Sequence, residues 1–207
     1  MSADAAGNTQ DQRTRLGMWV FLASEVMFFG PIFFAYAVGR YEMPDAFAQA
    51  SRSTDSVSGS INTAILLTSS LSIALGLEFA KAGARRAACR AFDVTVALAL
   101  CFLFLKGNEY FQDWHEHLIP GPGFHLAHGA NQQGAELFYF VYFASTLLHA
   151  LHLAIGIGLV LVARRHYSRA PGCGAVRRLE ATGLYWHFVD IIWIFLFPAL
   201  YLTGRAS

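Results

Sequence analysis

The sequence predicts an all-α integral membrane protein, a bundle of five transmembrane helices. Three observations predict it. Only 14% of the 207 residues are charged and 55% are hydrophobic, against about 25% charged in an ordinary soluble domain. The apolar residues gather into five long runs, each of about 20 residues or more and able to cross about 30 Å of hydrocarbon. The basic residues collect on alternate connections between those runs. Backbone groups in lipid must pair within their own segment, and the runs lack the alternation of barrel strands, so helices follow. The net charge of +1 gives no reason to expect nucleic acid.

Residues 1–15 are a polar N-terminal segment, expected to be disordered at its start, and the transmembrane domain takes up 16–207. The first apolar run is too long for a signal-peptide core and lacks a small-residue cleavage site, so it reads as a permanent span. This span, near 16–39, carries Glu25 between Val20-Phe21-Leu22 and Val26-Met27-Phe28. A carboxylate there is unfavourable unless it meets a cation or water. Glu25 therefore reads either as a functional acid, exchanging protons or touching a headgroup or subunit, or as a neutral acid bonded between helices. Residues 40–60, with Pro44, Asp45 and many serines, form a polar connection to a second span near 61–80, which opens on Asn62 and Thr63.

A short basic link, 81–90, leads to the third span near 91–112, which contains Lys106. Glu78 and Glu109 lie toward helix ends, where water is close, and are weaker signals. Residues 113–136 contain Pro120-Gly121-Pro122-Gly123, which cannot continue a helix. That connection also holds His115, His117, His125 and His128 beside Asp113 and Glu116, either a solvated surface or a metal site. The fourth span, near 137–163, carries Ser145, Thr146, His149 and His152. The two histidines are three apart and share a helix face; they suit haem or metal, or hydrogen bonds between helices, and no further ligands complete a metal pattern. Gly156 and Gly158 follow, small enough for close helix approach. After a polar connection at 164–183 with Pro171-Gly172, the fifth span runs near 184–204. In it Trp186, His187 and Asp190 fall on one face, so an Asp–His pair either relays protons or fixes packing against a neighbouring helix or subunit.

Orientation follows from the arginines and lysines. Arg13, Arg15, Lys81, Arg85, Arg86, Arg90, Arg164, Arg165, Arg169, Arg177 and Arg178 fall on one side; Arg40, Arg52 and Arg205 fall on the other. The N-terminus is expected in the cytoplasm and the C-terminus in the periplasm. Cys89 and Cys173 then face a reducing compartment, and with Cys101 they make an odd count without metal-type spacing, so no disulfide is expected. No phosphate loop, GxSxG, HExxH or CxxC signature is present. No catalytic residue, metal ligand or active site of its own is predicted.

The motifs, taken together and in this order, resemble subunit III of the haem–copper respiratory oxidases, the cytochrome c oxidase subunit III family. The stretches that carry the resemblance are LGMWVFLASEVMFF with Glu25, INTAILLTSSLSIALG with Asn62 and Thr63, NEYFQDW with Glu109 and Tyr110, HALHLAIG with His149, His152 and Gly156, and LYWHFVDIIWIFLF with Trp186, His187, Phe188, Asp190 and Trp193. The resemblance implies an accessory subunit without haem or copper of its own, those cofactors lying in partner subunits. It implies direct packing on subunit I, with subunit II in the same complex, and bound membrane phospholipid. The complex would reduce O2 to water and pump protons in aerobic respiration at a bacterial inner membrane, with this chain supporting proton uptake and the stability of the catalytic subunit. On the same ground Glu25 is expected near lipid or a proton path, and Arg164 and Arg165 fall near the family's basic headgroup partners. Asn62, Glu109, His149, His152, Trp186, His187 and Asp190 are expected in helix packing or subunit contact. The mitochondrial type has seven spans; five-span forms occur in bacterial quinol oxidases and some cytochrome c oxidases. A related five-span protein accompanies nitric oxide reductase, so a quinol oxidase or a nitric oxide reductase is an alternative parent.

Overall fold

The computed structural model describes residues 2–121, 124 and 131–204, and for 2–16, 18, 19, 21 and 22 the backbone alone. Among the described residues the chain forms six α-helices and one π-helical turn, with no strand. These are α1 (Ser2–Glu42), α2 (Pro44–Ser53), α3 (Ser56–Lys81), α4 (Arg85–His115), α5 (Gln132–Arg169), α6 (Cys173–Phe197) and the π-helical turn Pro198–Leu202. Four of them, α3, α4, α5 and α6 with its π turn, are long and apolar enough to cross a membrane. The fifth expected span lies in α1, several of whose side chains are outside the described residues.

Three expectations about the polar segments are revised. Helix α1 begins at Ser2, so the polar start is helical rather than disordered. A helix already nucleated by an apolar span extends outward at one hydrogen bond per residue, and the segment before it contains no proline to stop it. Within the expected polar connection 40–60 stands α2, with Pro44 in its first turn and Ala46, Phe47, Ala50 and Ser51 buried. Proline is tolerated there because the first-turn amide has no partner within the helix. The polar connection at 164–183 narrows in the same way, with α5 running to Arg169 and α6 starting at Cys173.

Short turns set the arrangement of the bundle. Helix α3 ends in a left-handed Gly83, φ 74°, with the Ala84 amide bonding the Phe79 carbonyl at 2.9 Å, a Schellman-type stop that reverses the chain directly into α4. The two helices then interlock. The Ser72 hydroxyl donates to the Ala91 carbonyl at 2.9 Å, and a side chain at Gly76 would press on Phe92 and Ala91. Helix α6 lies against both α3 and α5, and α5 also contacts α1, α2 and α4. Gly156 of α5 admits the rings of Trp186 and Tyr185, which a Cβ there would approach to 3.2 Å, whereas Gly158 faces open space and plays no part in close packing. At its end α6 widens into the π turn at Pro198; proline cannot supply the amide that would continue the α-helical ladder.

Candidate functional site

The buried polar side chains of the bundle resolve into two ionic sites and a group of amides, imidazoles and carboxylates between helices. The first site joins α1 to α5. Glu25 and His152 are both buried, and Glu25 Oε2 lies 2.8 Å from His152 Nε2. The other ring nitrogen, Nδ1, donates to the Leu148 carbonyl at 2.8 Å, so the proton between imidazole and carboxyl is the only one left to place. The pair is neutral overall whether the imidazole or the carboxyl holds it. The ring is positioned by Phe29, 5.5 Å between centroids, and the His152 carbonyl accepts from the Tyr185 hydroxyl at 2.9 Å.

The second site joins α4, α5 and the π turn. Lys106 and Glu109, one helical turn apart, form an ion pair at 3.1 Å with side chains only 6% and 7% exposed. Lys106 Nζ also donates to the hydroxyls of Tyr201 at 2.5 Å and Tyr142 at 3.2 Å. Both tyrosines in turn donate to Glu109 Oε1, at 2.5 Å from Tyr142 and 2.6 Å from Tyr201. Glu109 is therefore a buried carboxyl and not a water-facing residue of a helix end, because Tyr142 and Tyr201 close over it. Lys106, Tyr142 and Tyr201 are site residues that sequence reasoning did not single out. The spacing of Lys106 and Glu109 was the available signal, since a lysine inside a span needs an anion within reach.

The remaining candidates separate. His187 Nδ1 lies 2.6 Å from the Ser70 hydroxyl, and the Trp186 indole donates to Ser69 at 3.1 Å. The expected His187–Asp190 pair is not formed: Ser70 of α3 reaches the imidazole, and Asp190 is buried beside the same helix. His149 is completely buried, packed against Phe102 and Trp193 at 5.6 and 5.0 Å. Its ring nitrogens and the Asn62 amide have no hydrogen-bond partner. His149 and His152 share a face but meet different neighbours, so they do not converge on one point. Arg164 pairs with Asp93 at 2.6 Å and lines a cleft of about 420 Å³ with Arg85, Arg86, Cys89, Arg90 and Ser168; Arg165 is exposed. Glu78 is exposed and bonds Lys81 at 3.2 Å. His115 packs on Phe111, and His117 takes a left-handed backbone, φ 57°. Pro122, Gly123, His125, His128 and Arg205 lie outside the described residues, as do the side chains of Arg13 and Arg15.

The family model of cytochrome c oxidase subunit III matches residues 5–205. A cytochrome c oxidase subunit 3 of Thermostichus vulcanus is 32% identical over 211 residues, covering 99% of this chain and 94% of that one. That of Pylaiella littoralis is 30% identical, covering 93% of this chain and 68% of the relative. A heme-copper oxidase subunit I+III of Aeropyrum pernix is 32% identical over an alignment of 199 positions, covering 92% of this chain and 23% of that longer one.

Proposed function

This chain belongs to the cytochrome c oxidase subunit III family, and from that premise we propose that it is the accessory subunit of a haem–copper terminal oxidase, docked on the catalytic subunit of an aerobic respiratory chain. It crosses a bacterial plasma membrane five times, N-terminus inside. The observation that carries the partner is the relative named as subunit I+III, in which a segment like this one is continuous with a subunit I. Fusion of two segments in one polypeptide is what a permanent side-by-side contact permits. The apolar side chains left exposed on α1, among them Val26, Met27, Phe28 and Phe34, suit lipid or another subunit's helices.

In this role the chain performs no redox chemistry; the haems, the copper and the reduction of O2 to water belong to the partners. Its own contribution is to hold lipid and to keep the catalytic subunit supplied with protons and stable during turnover. The Glu25–His152 pair supports that reading, because it keeps one exchangeable proton inside the bundle without stranding a charge. The cleft around Arg164, with Arg85, Arg86 and Arg90, supports an anionic phospholipid headgroup, which guanidinium groups bind bidentately.

The test is purification through a tag on this chain in mild detergent. A haem-bearing large subunit is expected to accompany it, with unaltered visible spectra in the Glu25→Ala complex but faster inactivation during turnover or fewer retained phospholipids. Recovery of the chain without any haem protein overturns the proposal. Activity of the complex toward reduced cytochrome c, quinol or nitric oxide decides among the parents.

A further inference from the structure

The two ionic sites differ in how many elements they tie together. At Lys106 each ammonium N–H has an oxygen within reach: Tyr201 at 2.5 Å, Tyr142 at 3.2 Å and Glu109 Oε2 at 3.1 Å. Both phenol hydroxyls are committed to Glu109 Oε1. The cation also sits within 4.9 to 5.7 Å of the ring centres of Tyr142, Tyr201, Trp193 and Tyr110. The contact with Glu109 Oε2 is an ion pair, and the two phenols bind both the ammonium and Glu109 Oε1. Such a closed network fixes geometry.

What it fixes is the end of the chain. Tyr201 is in the π turn, 95 residues from Lys106, and that turn is gripped again from the opposite side. Ser51 of α2 donates to the Leu200 carbonyl at 2.9 Å, and Arg52 donates to that of Gly204 at 2.5 Å. Tyr36 of α1 donates to the Ala199 carbonyl and meets the Thr203 hydroxyl at 2.8 Å. The π turn thus has the buried ion pair on one side and α2 on the other.

We propose that Lys106, Glu109, Tyr142 and Tyr201 form a conformational latch that holds the C-terminal π turn against α4 and α5 and, through that turn, keeps α2 docked on the bundle. The inference rests on this geometry and is independent of the identity of the partner complex. Removing one member of a buried pair leaves its partner uncompensated, whereas removing both does not.

Amide hydrogen exchange on the full chain, in the membrane complex from which it is purified, tests the latch. In Lys106→Met or Glu109→Gln, amides of residues 44–53 and 198–204 are expected to exchange roughly 100-fold faster, while 61–80 keep their protection. The double variant K106M/E109Q leaves no charge unpaired but still lacks the ion pair, so it should exchange about 10-fold faster than native in these segments, and Tyr201→Phe should accelerate them by about 10-fold. Unchanged α2 exchange in the single variants overturns the latch, and so does a uniform increase across all helices. If a single variant does not assemble, the double variant K106M/E109Q decides: faster exchange confined to 44–53 and 198–204 supports the latch, and native protection there, or failure of the double variant to assemble, overturns it.

Discussion

Between Glu25 and His152 the packing leaves one proton and two places to put it. Substituting histidine alone strands the acid among Phe29 and the apolar face of α5, and loss of one partner from a buried pair costs about 3–5 kcal/mol. His152→Ala is therefore expected to lower the temperature at which the chain is released from its complex, and adding Glu25→Gln to it should recover part of the loss, because an amide tolerates burial better than an unpaired carboxylate. Equal melting of H152A and the double variant argues against the pair. These residues were legible: an acid ten residues into a span and a histidine on another demand partners. Their pairing was not, because 127 residues separate them, and spacing along one helix says nothing of which helix lies opposite. The His187–Asp190 expectation failed for the same reason. Both lie on one face, but Ser70 of α3 reaches the imidazole. Glu109 was misjudged because distance from a helix end is a poor measure of access to water when Tyr142 and Tyr201, 33 and 92 residues away, close the site.

At the scale of elements, α2 is the part that the hydropathy pattern hid. Ten residues cannot span lipid, and its composition is that of a connection, yet Phe47 packs edge-on to Tyr36 and Phe138 at 5.7 and 5.5 Å. Its docking depends on two glycines that the pattern gives no reason to notice. A Cβ on Gly39 would come within 2.5 Å of the Phe47 ring, and one on Gly134 within 2.6 Å of the Ala46 Cβ. Overpacking of this kind costs typically 1–3 kcal/mol. Gly134→Ala and Gly39→Ala are expected to increase proteolytic nicking in the segment between α1 and α3 several-fold. Gly158→Ala, made in the open, should leave cleavage unchanged and tighten α5 slightly, since alanine is favoured over glycine inside a helix by about 1 kcal/mol. Equal cleavage of all three variants would remove α2 packing as the cause. The apolar middles of the long helices, by contrast, were legible, because apolar length in lipid leaves the backbone no alternative, whereas α1 and α6 begin 14 and 11 residues before the expected spans.

For the whole molecule, the arrangement of charge and the arrangement of helices make the same demand. Tight reversal at Gly83 and the short break at 170–172 put the ends of α3 and α5 and the starts of α4 and α6 at one end of the bundle. Lys81, Arg85, Arg86, Arg90, Arg164, Arg165, Arg169, Arg177 and Arg178 all fall there. Helix α2 and the π turn stand at the other end. The positive-inside bias predicts that the arginine-rich end faces the cytoplasm and α2 the opposite side. Cys173 is exposed at the arginine-rich end, and Cys101 is exposed midway along α4, so the native thiols report on that end and on the middle of the bundle. A membrane-impermeant maleimide is expected to spare Cys173 in intact cells and to label it in inverted vesicles. Cysteine placed at Ser53 of α2 should show the reverse, and Cys101 should resist the reagent from both sides while bilayer or partner covers it. Labelling of Cys173 from outside would turn the molecule over, and labelling of Ser53→Cys and Cys173 from the same side would mean an even number of crossings between them, against the three that α3, α4 and α5 supply.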